Sequence, residues 1–234
     1  MCERCCRAKP LIKHCAPLKP ILCSEPLELV SMDYMTLESS KGGYNNILVI
    51  TDNFTKFSIA VATTNLSART TAQHLLQDFI CKYGIPKVLH SDQGGSFEAK
   101  AIQHLCKAHG IFKSRTTPYH PEGDGATERM IRSLLNMLRT LEGIQKQDWK
   151  QHLSRLVHAY NCTRHASTGY SPYFLLFGRQ PRLPIDALLP NRCREKVSCD
   201  DYAAQLRERL REVFELAAEN TEKAKTNQKK YYDK

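Results

Sequence analysis

The chain has 234 residues, with 34 Lys and Arg against 24 Asp and Glu, so its formal net charge is +10 at pH 7. A hydrophobic content of 41% can fill a real core, so disorder is not the default expectation. No apolar run reaches the roughly 18 residues that a membrane helix needs, so we expect no membrane association. The positive balance favours a polyanionic partner, and an ordinary soluble basic surface is the alternative.

The first 25 residues are rich in Cys, Lys and Pro, which predicts a linker rather than a regular element. Cys2 and Cys5 have the spacing of a metal knuckle, but a structural zinc site needs two further ligands. Other possible ligands follow at spacings that match no common zinc module: His14, Cys15 and Cys23. We therefore expect no complete zinc site here, and we expect the ten cysteines of the chain to be reduced thiols.

The next segment predicts an antiparallel meander of about three strands. Leu27–Leu37 alternates loosely, which would place Asp33 on one face with the residues two positions away. The apolar runs 47–50 and 57–61, separated by turn residues, predict a hairpin. A charge within an apolar strand suggests a function for Asp33, and an edge-strand aspartate that faces water is the structural alternative.

A helix over Ala68–Tyr83 follows, because apolar residues recur there at helical spacing and Gly84 can end it. Residues 87–90 predict a short strand, and Asp92 comes directly after it in a loop with two glycines. Ligands of α/β folds gather at the carboxyl ends of strands. Asp92 is therefore a second candidate carboxylate, ahead of a helix predicted over Phe97–His109.

Ile111–Thr116 predicts a fifth strand, and a helix capped by Asp124 or Thr127 comes after a glycine-rich loop. Glu128 lies in the first turn of that helix, where the helix dipole favours an anion. We expect its side chain on the face packed toward the sheet, as part of the stripe Ile131, Leu134, Leu135, Leu138 and Leu141. The structural alternative is a glutamate that interacts only with the helix dipole.

Helices are also predicted over Trp149–Cys162 and Ser171–Phe177, the second with Pro172 in its first position. Three prolines mark a linker over 181–199, and residues 200–234 predict one long charged helix. A narrow apolar stripe would pack this helix on the domain or on a partner helix: Leu206, Leu210, Val213, Phe214 and Ala217.

The three carboxylates Asp33, Asp92 and Glu128 suit divalent-metal chemistry. Mg²⁺ and Mn²⁺ prefer oxygen ligands, and two such ions about 4 Å apart can stabilise both the attacking and the leaving oxygen at phosphorus. Because the carboxylates are far apart in sequence, the fold must bring them together.

The order of elements and three motifs resemble the integrase core of gypsy-type long-terminal-repeat retrotransposons and, more distantly, of retroviruses. The motifs are HSDQG at 90–94, TTPYHP at 116–121, and GDG at 123–125 followed by Glu128-Arg129. The resemblance covers nearly the whole chain. It implies an α/β, ribonuclease-H-like fold, with a mixed five-stranded sheet flanked by helices and a C-terminal helical extension.

This resemblance implies that Asp33, Asp92 and Glu128 bind two Mg²⁺ or Mn²⁺ ions in a polynucleotidyl transferase. Family enzymes trim the 3′ ends of element DNA and join them to target DNA. The implied partners are double-stranded DNA and further copies of the chain, and the implied location is nuclear, with some protein in the cytoplasm. Candidate DNA contacts, for which a solvated basic face or a turn-stabilising role is the alternative, are Lys113, Arg115, Tyr119, His120, Arg129 and Arg132.

The resemblance also divides the chain into four segments. Residues 1–25 would be the remnant of a zinc-binding domain with its linker, and 26–180 the catalytic core. Residues 181–199 would be a linker before the helix at 200–234. The family's zinc domain needs two histidines before Cys2 and Cys5, and the family continues into a small DNA-gripping domain after the last helix, so we expect neither domain to be complete and no zinc in this chain.

Two rival interpretations remain. A truncated or host-captured core could bind nucleic acid or a protein partner without catalysis. A simple ribonuclease H would need a fourth carboxylate, for which Glu98 and Asp52 are the nearby candidates.

Overall fold

The computed structural model describes residues 22–115, 125–183, 186 and 198–232. Five strands are present in them: β1 Leu29–Ser40, β2 Tyr44–Asp52, β3 Ser58–Thr63, β4 Val88–Ser91 and β5 Phe112–Arg115. Helix α1 consists of Ala68–His74, a π-helical segment Leu75–Ile80 and a last turn Cys81–Tyr83. The other helices are α2 Gly95–Glu98, α3 Lys100–Ala108, α4 Gly125–Arg139, α5 Gly143–Gln147, α6 Trp149–Cys162, α7 Pro172–Phe177 and α8 Cys199–Tyr232.

Several predictions fall outside these described ranges. They are the possible zinc ligands Cys2 and Cys5, the loop residues Tyr119 and His120, the proposed cap Asp124, and most of the linker 181–199. No helix in the described ranges is both long and apolar enough to cross a membrane. The cysteines at positions 23, 81, 106 and 162 are free thiols, as predicted.

The strands form one mixed sheet in the order β3-β2-β1-β4-β5. The meander β1-β2-β3 is antiparallel, whereas β4 pairs parallel with both β1 and β5. Parallel neighbours need a crossover connection, and α1 supplies the one between β3 and β4. The predicted mixed five-stranded sheet is therefore confirmed.

Side chains alternate across the sheet and build two separate cores. On one face, Met32 and Ile50 pack with Phe79 of α1 and Ile102 of α3. On the other face, residues of β1 and β2 pack against α4 and α6, in a cluster formed by Met35, Ile47, Val49, Met130, Leu134, Leu138, Trp149, Leu153 and Val157. Asp33 has the same strand parity as Met35, so it belongs to the face that α4 covers.

The helix boundaries agree with the sequence at most points. The helix at Trp149–Cys162 is confirmed, and α7 begins at Pro172 after the cap Ser171, whose Oγ accepts a hydrogen bond from the Phe174 amide at 3.3 Å. The single helix predicted over Phe97–His109 is wrong, because extended backbone at Ala99 separates α2 from α3. Thr127 is not a cap either, since α4 begins at Gly125 and Thr127 lies buried within its first turn.

Helix α8 packs along the domain through its predicted apolar stripe. Phe214 meets Phe54 edge-on, with 5.2 Å between ring centroids. Gly178 ends α7 with φ 68°, and a Cβ added to it would lie 3.0 Å from Leu206 Cδ1. Glycine is therefore required at Gly178 both by backbone conformation and by the close approach of α8. Of the two predicted partners for this helix, the structure shows the domain itself.

Candidate active site

The sheet register brings Asp33 and Asp92 next to each other. Met32 pairs with Ser91 in the parallel ladder of β1 and β4. Asp33 and Asp92 are the residues that directly follow this pair along the two neighbouring strands. Neighbouring strands lie about 4.8 Å apart. Two carboxylates that are far apart in sequence thus reach one edge of the sheet, as predicted.

The loop after β4 fixes the carboxylate of Asp92. Its Oδ1 accepts a hydrogen bond from the Gly94 amide at 2.9 Å. A Cβ at Gly94 would lie only 2.9 Å from the same oxygen. The HSDQG motif therefore needs its glycine for close approach, since Gly94 has an ordinary φ of −59°.

Asp33 is half-buried, and the charges of both other carboxylates affect its pKa. Its Oδ1 accepts a hydrogen bond from the Tyr34 amide at 2.7 Å, which favours the charged form. Burial outweighs that bond, and the like charges of Asp92 and Glu128 act in the same direction as burial, so the pKa of Asp33 is raised to about 6. The three predicted residues are thus within electrostatic range of one another.

Glu128 lies in the first turn of α4, as predicted, but its side chain is exposed. The prediction that it lies on the packed face is wrong. The buried stripe of α4 centres on Met130, Leu134 and Leu138, whereas Ile131 and Leu135 are only half-buried. Glu128 shares the side of these half-buried residues, at the rim of the packed face. That position leaves its carboxylate open to solvent beside Asp33.

The three carboxylates fit a hard divalent cation. All their donors are oxygens, two of the side chains are exposed, and a cation would relieve the repulsion felt by Asp33. They are not drawn into a closed ligand cluster: in the ranges that the structure describes, no three His, Cys, Asp or Glu side chains are close enough to hold an ion. A metal would have to draw the carboxylates together.

Lys113 points into the protein and connects with the loop of Asp92. Its Nζ donates to Ser91 Oγ at 2.8 Å, and that hydroxyl donates to the Asp92 carbonyl at 2.8 Å. Lys113 also donates to the Ser114 carbonyl at 2.9 Å and forms an ion pair with Glu98 at 3.3 Å. Burial lowers the pKa of Lys113, and Glu98 opposes that effect. The structure shows an internal brace, and the DNA contact that we predicted for Lys113 stays a prediction.

Both candidates for a fourth carboxylate are engaged in structural roles. Glu98 accepts from Lys113 and from Arg115, whose Nη1 lies 3.5 Å from Oε2. Asp52 is buried and accepts from the Leu27 and Thr55 amides at 3.1 and 2.9 Å, which ties the β2–β3 turn to the chain before β1. These contacts weigh against the simple ribonuclease H interpretation.

The remaining DNA-contact candidates have different environments. Arg132 is exposed, and Arg115 is exposed but paired with Glu98. Arg129 is half-buried and donates to Gln228 Oε1 of α8 at 3.3 Å. A DNA-binding role for these residues, and for Tyr119 and His120 outside the described ranges, stays a prediction.

Sequence reasoning missed Ser91, Lys56 and Gln228 near the site. Lys56 lies in the turn between two strands, where no sequence pattern indicates that a lysine is buried. Gln228 is one polar residue among many in α8. Ser91 could have been noticed, since it stands between a strand and a candidate carboxylate.

Residues 24–121 match the family model of the integrase core domain. Over these residues the chain is similar to the integrase core domain. The matched range contains Asp33 and Asp92 and stops before Glu128. The predicted family resemblance is thereby confirmed at the level of the core domain.

Two curated relatives are retrotransposon polyproteins. The chain is 30% identical over 197 residues to the retrovirus-related Pol polyprotein from transposon 412 of Drosophila melanogaster, covering 84% of this chain. It is 29% identical over 224 residues to the transposon Tf2-3 polyprotein of Schizosaccharomyces pombe, covering 94% of this chain. The chain spans about 16% of the length of each of these relatives.

Solved structures confirm the fold. The catalytic core domain of BIV integrase matches with a TM-score of 0.52 and 28% identity, over 64% of this chain and 94% of that one. A chain of the simian T-cell lymphotropic virus intasome in complex with PP2A regulatory subunit B56 gamma matches with a TM-score of 0.61 and 18% identity, over 84% and 68%. The second likeness concerns the fold alone. The predicted ribonuclease-H-like integrase core is confirmed.

Proposed function

We propose that the chain is a metal-dependent polynucleotidyl transferase that processes the 3′ ends of gypsy-type element DNA and joins them to target DNA. The proximity of Asp33, Asp92 and Glu128 carries the proposal, because the fold places three carboxylates from separate elements within electrostatic range of one another. A carboxyl group whose pKa is raised by its own burial and by neighbouring like charges is typical of a functional site. The integrase core domain supports the same reaction class.

Asp33, Asp92 and Glu128 would hold two Mg²⁺ or Mn²⁺ ions. When bound, such ions activate the nucleophile and neutralise charge on the leaving oxygen. The chain contributes position: the Gly94 amide orients Asp92, and Lys113 braces its loop through Ser91. In each reaction the oxygen of water or of a 3′ hydroxyl bonds to phosphorus while the opposite phosphorus–oxygen bond breaks, with no covalent enzyme intermediate.

The proposed partners are double-stranded DNA, as element ends and as target, and further copies of this chain. The net charge of +10 supports a DNA partner, since phosphate contacts drive such binding. Sedimentation with and without duplex DNA tests self-association, and a single monomeric species in both would contradict it. We also propose a nuclear location, where the DNA substrate lies, which imaging of the tagged chain tests.

The decisive test uses the purified chain, Mn²⁺ and a labelled duplex that carries element-end sequence. We expect nicking or strand transfer that Asp92→Asn abolishes, because the amide cannot supply an anionic ligand. Glu142→Gln is the matched control, since Glu142 is an exposed carboxylate in the loop before α5. Binding without any cleavage by the wild-type chain would refute catalysis and favour the non-catalytic DNA-binding interpretation.

A further inference from the structure

A group of basic side chains lies where α8 passes the β2–β3 turn and the start of α4. Lys56 sits in that turn with only 3% of its surface exposed, and its Nζ donates to the Asn53 carbonyl at 2.5 Å. Its backbone is left-handed, with φ 66°, which is uncommon for a residue with a Cβ. The turn thus keeps an ammonium group inside the protein at some cost in conformational energy.

Helix geometry places Lys225 on the same docked side of α8. Phe214 contacts Phe54, two residues before Lys56, and Lys225 follows Phe214 by 11 residues, about three full turns. Gln228, one turn later, accepts the hydrogen bond from Arg129. Lys225 therefore lies between two contacts that α8 makes with the core, and like Arg129 it is half-buried and still reachable from solvent.

Arg129 folds back over the beginning of α4. A Cβ built on Gly125, the first residue of this 15-residue helix, would lie 3.9 Å from Arg129 Nη2. The guanidinium therefore adds its charge to the positive end of the helix dipole. The amides of a helix start, a fork of guanidinium donors and nearby ammonium groups are the usual components of an oxyanion site.

The two neighbouring cations act on Lys56 more strongly than the acid Asp52 does. Burial lowers the pKa of Lys56 to about 8, and Lys225 and Arg129 act in the same direction. Asp52 acts on Lys56 in the opposite direction, but its oxygens already accept from Leu27 and Thr55. Among the residues that the structure describes, neither Lys56 nor Arg129 forms an ion pair, and both donate to neutral oxygens.

We infer that the junction of Lys56, Arg129 and Lys225 binds a phosphate group, and that this phosphate fixes the end of α8 against the core. Arg129 and Lys225 contact the phosphate oxygens, while Lys56 contributes its positive charge from the protein interior. The assignment of that phosphate to the DNA backbone rests on the proposed function, because the junction adjoins Glu128. The shared chemistry is a tetrahedral oxyanion, which inorganic phosphate also supplies.

The first test measures thermal unfolding of the full chain with inorganic phosphate against chloride at equal ionic strength. At ten times the dissociation constant we expect phosphate to raise the Tm by about 3–6 °C. Lys225→Met and Lys56→Met should each abolish the response, and Lys56→Met should also raise the Tm without phosphate, because a buried charge is removed. Lys223→Met is the matched control on α8, since Lys223 is 72% exposed and pairs with Glu219.

A phosphate effect no larger than that of chloride would overturn the inference. So would a Lys225→Met chain that responds like Lys223→Met. If Lys56→Met does not fold, Lys225→Met alone decides, because its side chain is half-buried on a helix surface.

The second test separates DNA from free phosphate. Duplex binding is titrated against salt, and Lys225→Met should reduce the slope of log Kobs against log salt by about 0.9, the value for one lost phosphate contact. An unchanged slope in a phosphate-responsive chain would assign the site to free phosphate and overturn the DNA assignment.

The phosphate response should persist in Asp92→Asn, so the two proposals fail separately. A chain that nicks DNA without a phosphate response refutes this inference alone. A chain that responds to phosphate but never nicks DNA refutes the proposed function alone.

Discussion

Glu128 and Arg129 are neighbours in α4, yet they belong to clusters of opposite charge. On one side, Asp92 and Glu128 raise the pKa of the half-buried Asp33. On the other, Arg129 and Lys225 lower the pKa of the buried Lys56. In both clusters burial has the larger effect and like charges add to it. The start of α4 therefore separates two clusters of like charge. The acidic cluster around Asp33 is suited to bind cations, and the basic cluster around Lys56 is suited to bind anions.

The largest expected effect tests how firmly the acidic side is positioned. Lys113→Met removes the bonds to Ser91 and Glu98 and frees the loop of Asp92. We expect kcat for nicking to fall by about 10², as a displacement near 1 Å does elsewhere, with little change in KM. Lys113→Arg should restore part of the activity.

Lys107→Met, at an exposed position of α3, is the control for that experiment. An equal loss in kcat and in folded fraction for Lys113→Met would indicate a purely structural brace and remove the positioning role.

Replacement of Lys56 by Met tests the basic side. The folded pKa of Lys56, about 8, lies below its unfolded value, so its charged form destabilises the protein at pH 7. This penalty is lost as the pH rises through 8 toward about 10.4, the unfolded value. We expect Lys56→Met to raise the free energy of unfolding by about 2 kcal/mol at pH 7. This net value already subtracts about 1 kcal/mol for the lost hydrogen bond. Urea unfolding at pH 7 and pH 10 measures the difference, which should vanish at the higher pH.

For Asp33→Asn we expect the stabilising effect to appear as the pH rises, whereas the effect of Lys56→Met disappears as the pH rises. The folded pKa, about 6, lies above the unfolded value, so the stability linked to Asp33 is fully present below about pH 4 and is lost as the pH rises through 6. Without metal, we expect Asp33→Asn to stabilise the protein by about 1–2 kcal/mol at pH 7.5, allowing for solvent screening, and to have little effect at pH 4. Equal effects at both pH values would contradict the assigned cause.

Gln228→Ala gives the smallest effect. It removes one hydrogen bond from Arg129, worth about 1 kcal/mol, at an exposed helix position. We expect faster amide exchange in the last turns of α8 and unchanged protection at Leu206 and Leu210. Uniform loss of protection along α8 would show that the helix docks as a single unit.

The sequence predicted those parts of the site that depend on local pattern. Asp33 within a strand, Asp92 after a strand and Glu128 at a helix start follow from apolar periodicity and glycine positions, and the sheet register then brings the first two together. The face of Glu128 was predicted wrongly, because apolar residues at Ile131 and Leu135 do not distinguish a buried stripe from its rim.

The two charge networks could not be predicted, because they depend on contacts between distant segments. Lys113 meets Glu98 across 15 positions, and Arg129 meets Gln228 across 99. A basic side chain gives the same sequence signal on a solvated face and in a buried brace. Backbone irregularities such as the break at Ala99 also lack a proline or glycine that would reveal them.

Gly178 makes the longest helix of this protein depend on its smallest residue. Leu206 and Leu210 lie so close to the glycine, 3.0 and 3.2 Å from an added Cβ, that a methyl group there would force them to shift. From Leu206 to Gln228 the helix rises about 33 Å at 1.5 Å per residue. A tilt of only 5° at that pivot would carry the far end about 3 Å, beyond the reach of the Arg129 bond. The contact at Gly178 therefore sets the orientation of α8. A methyl group there would displace the helix at Gln228, more than six turns away.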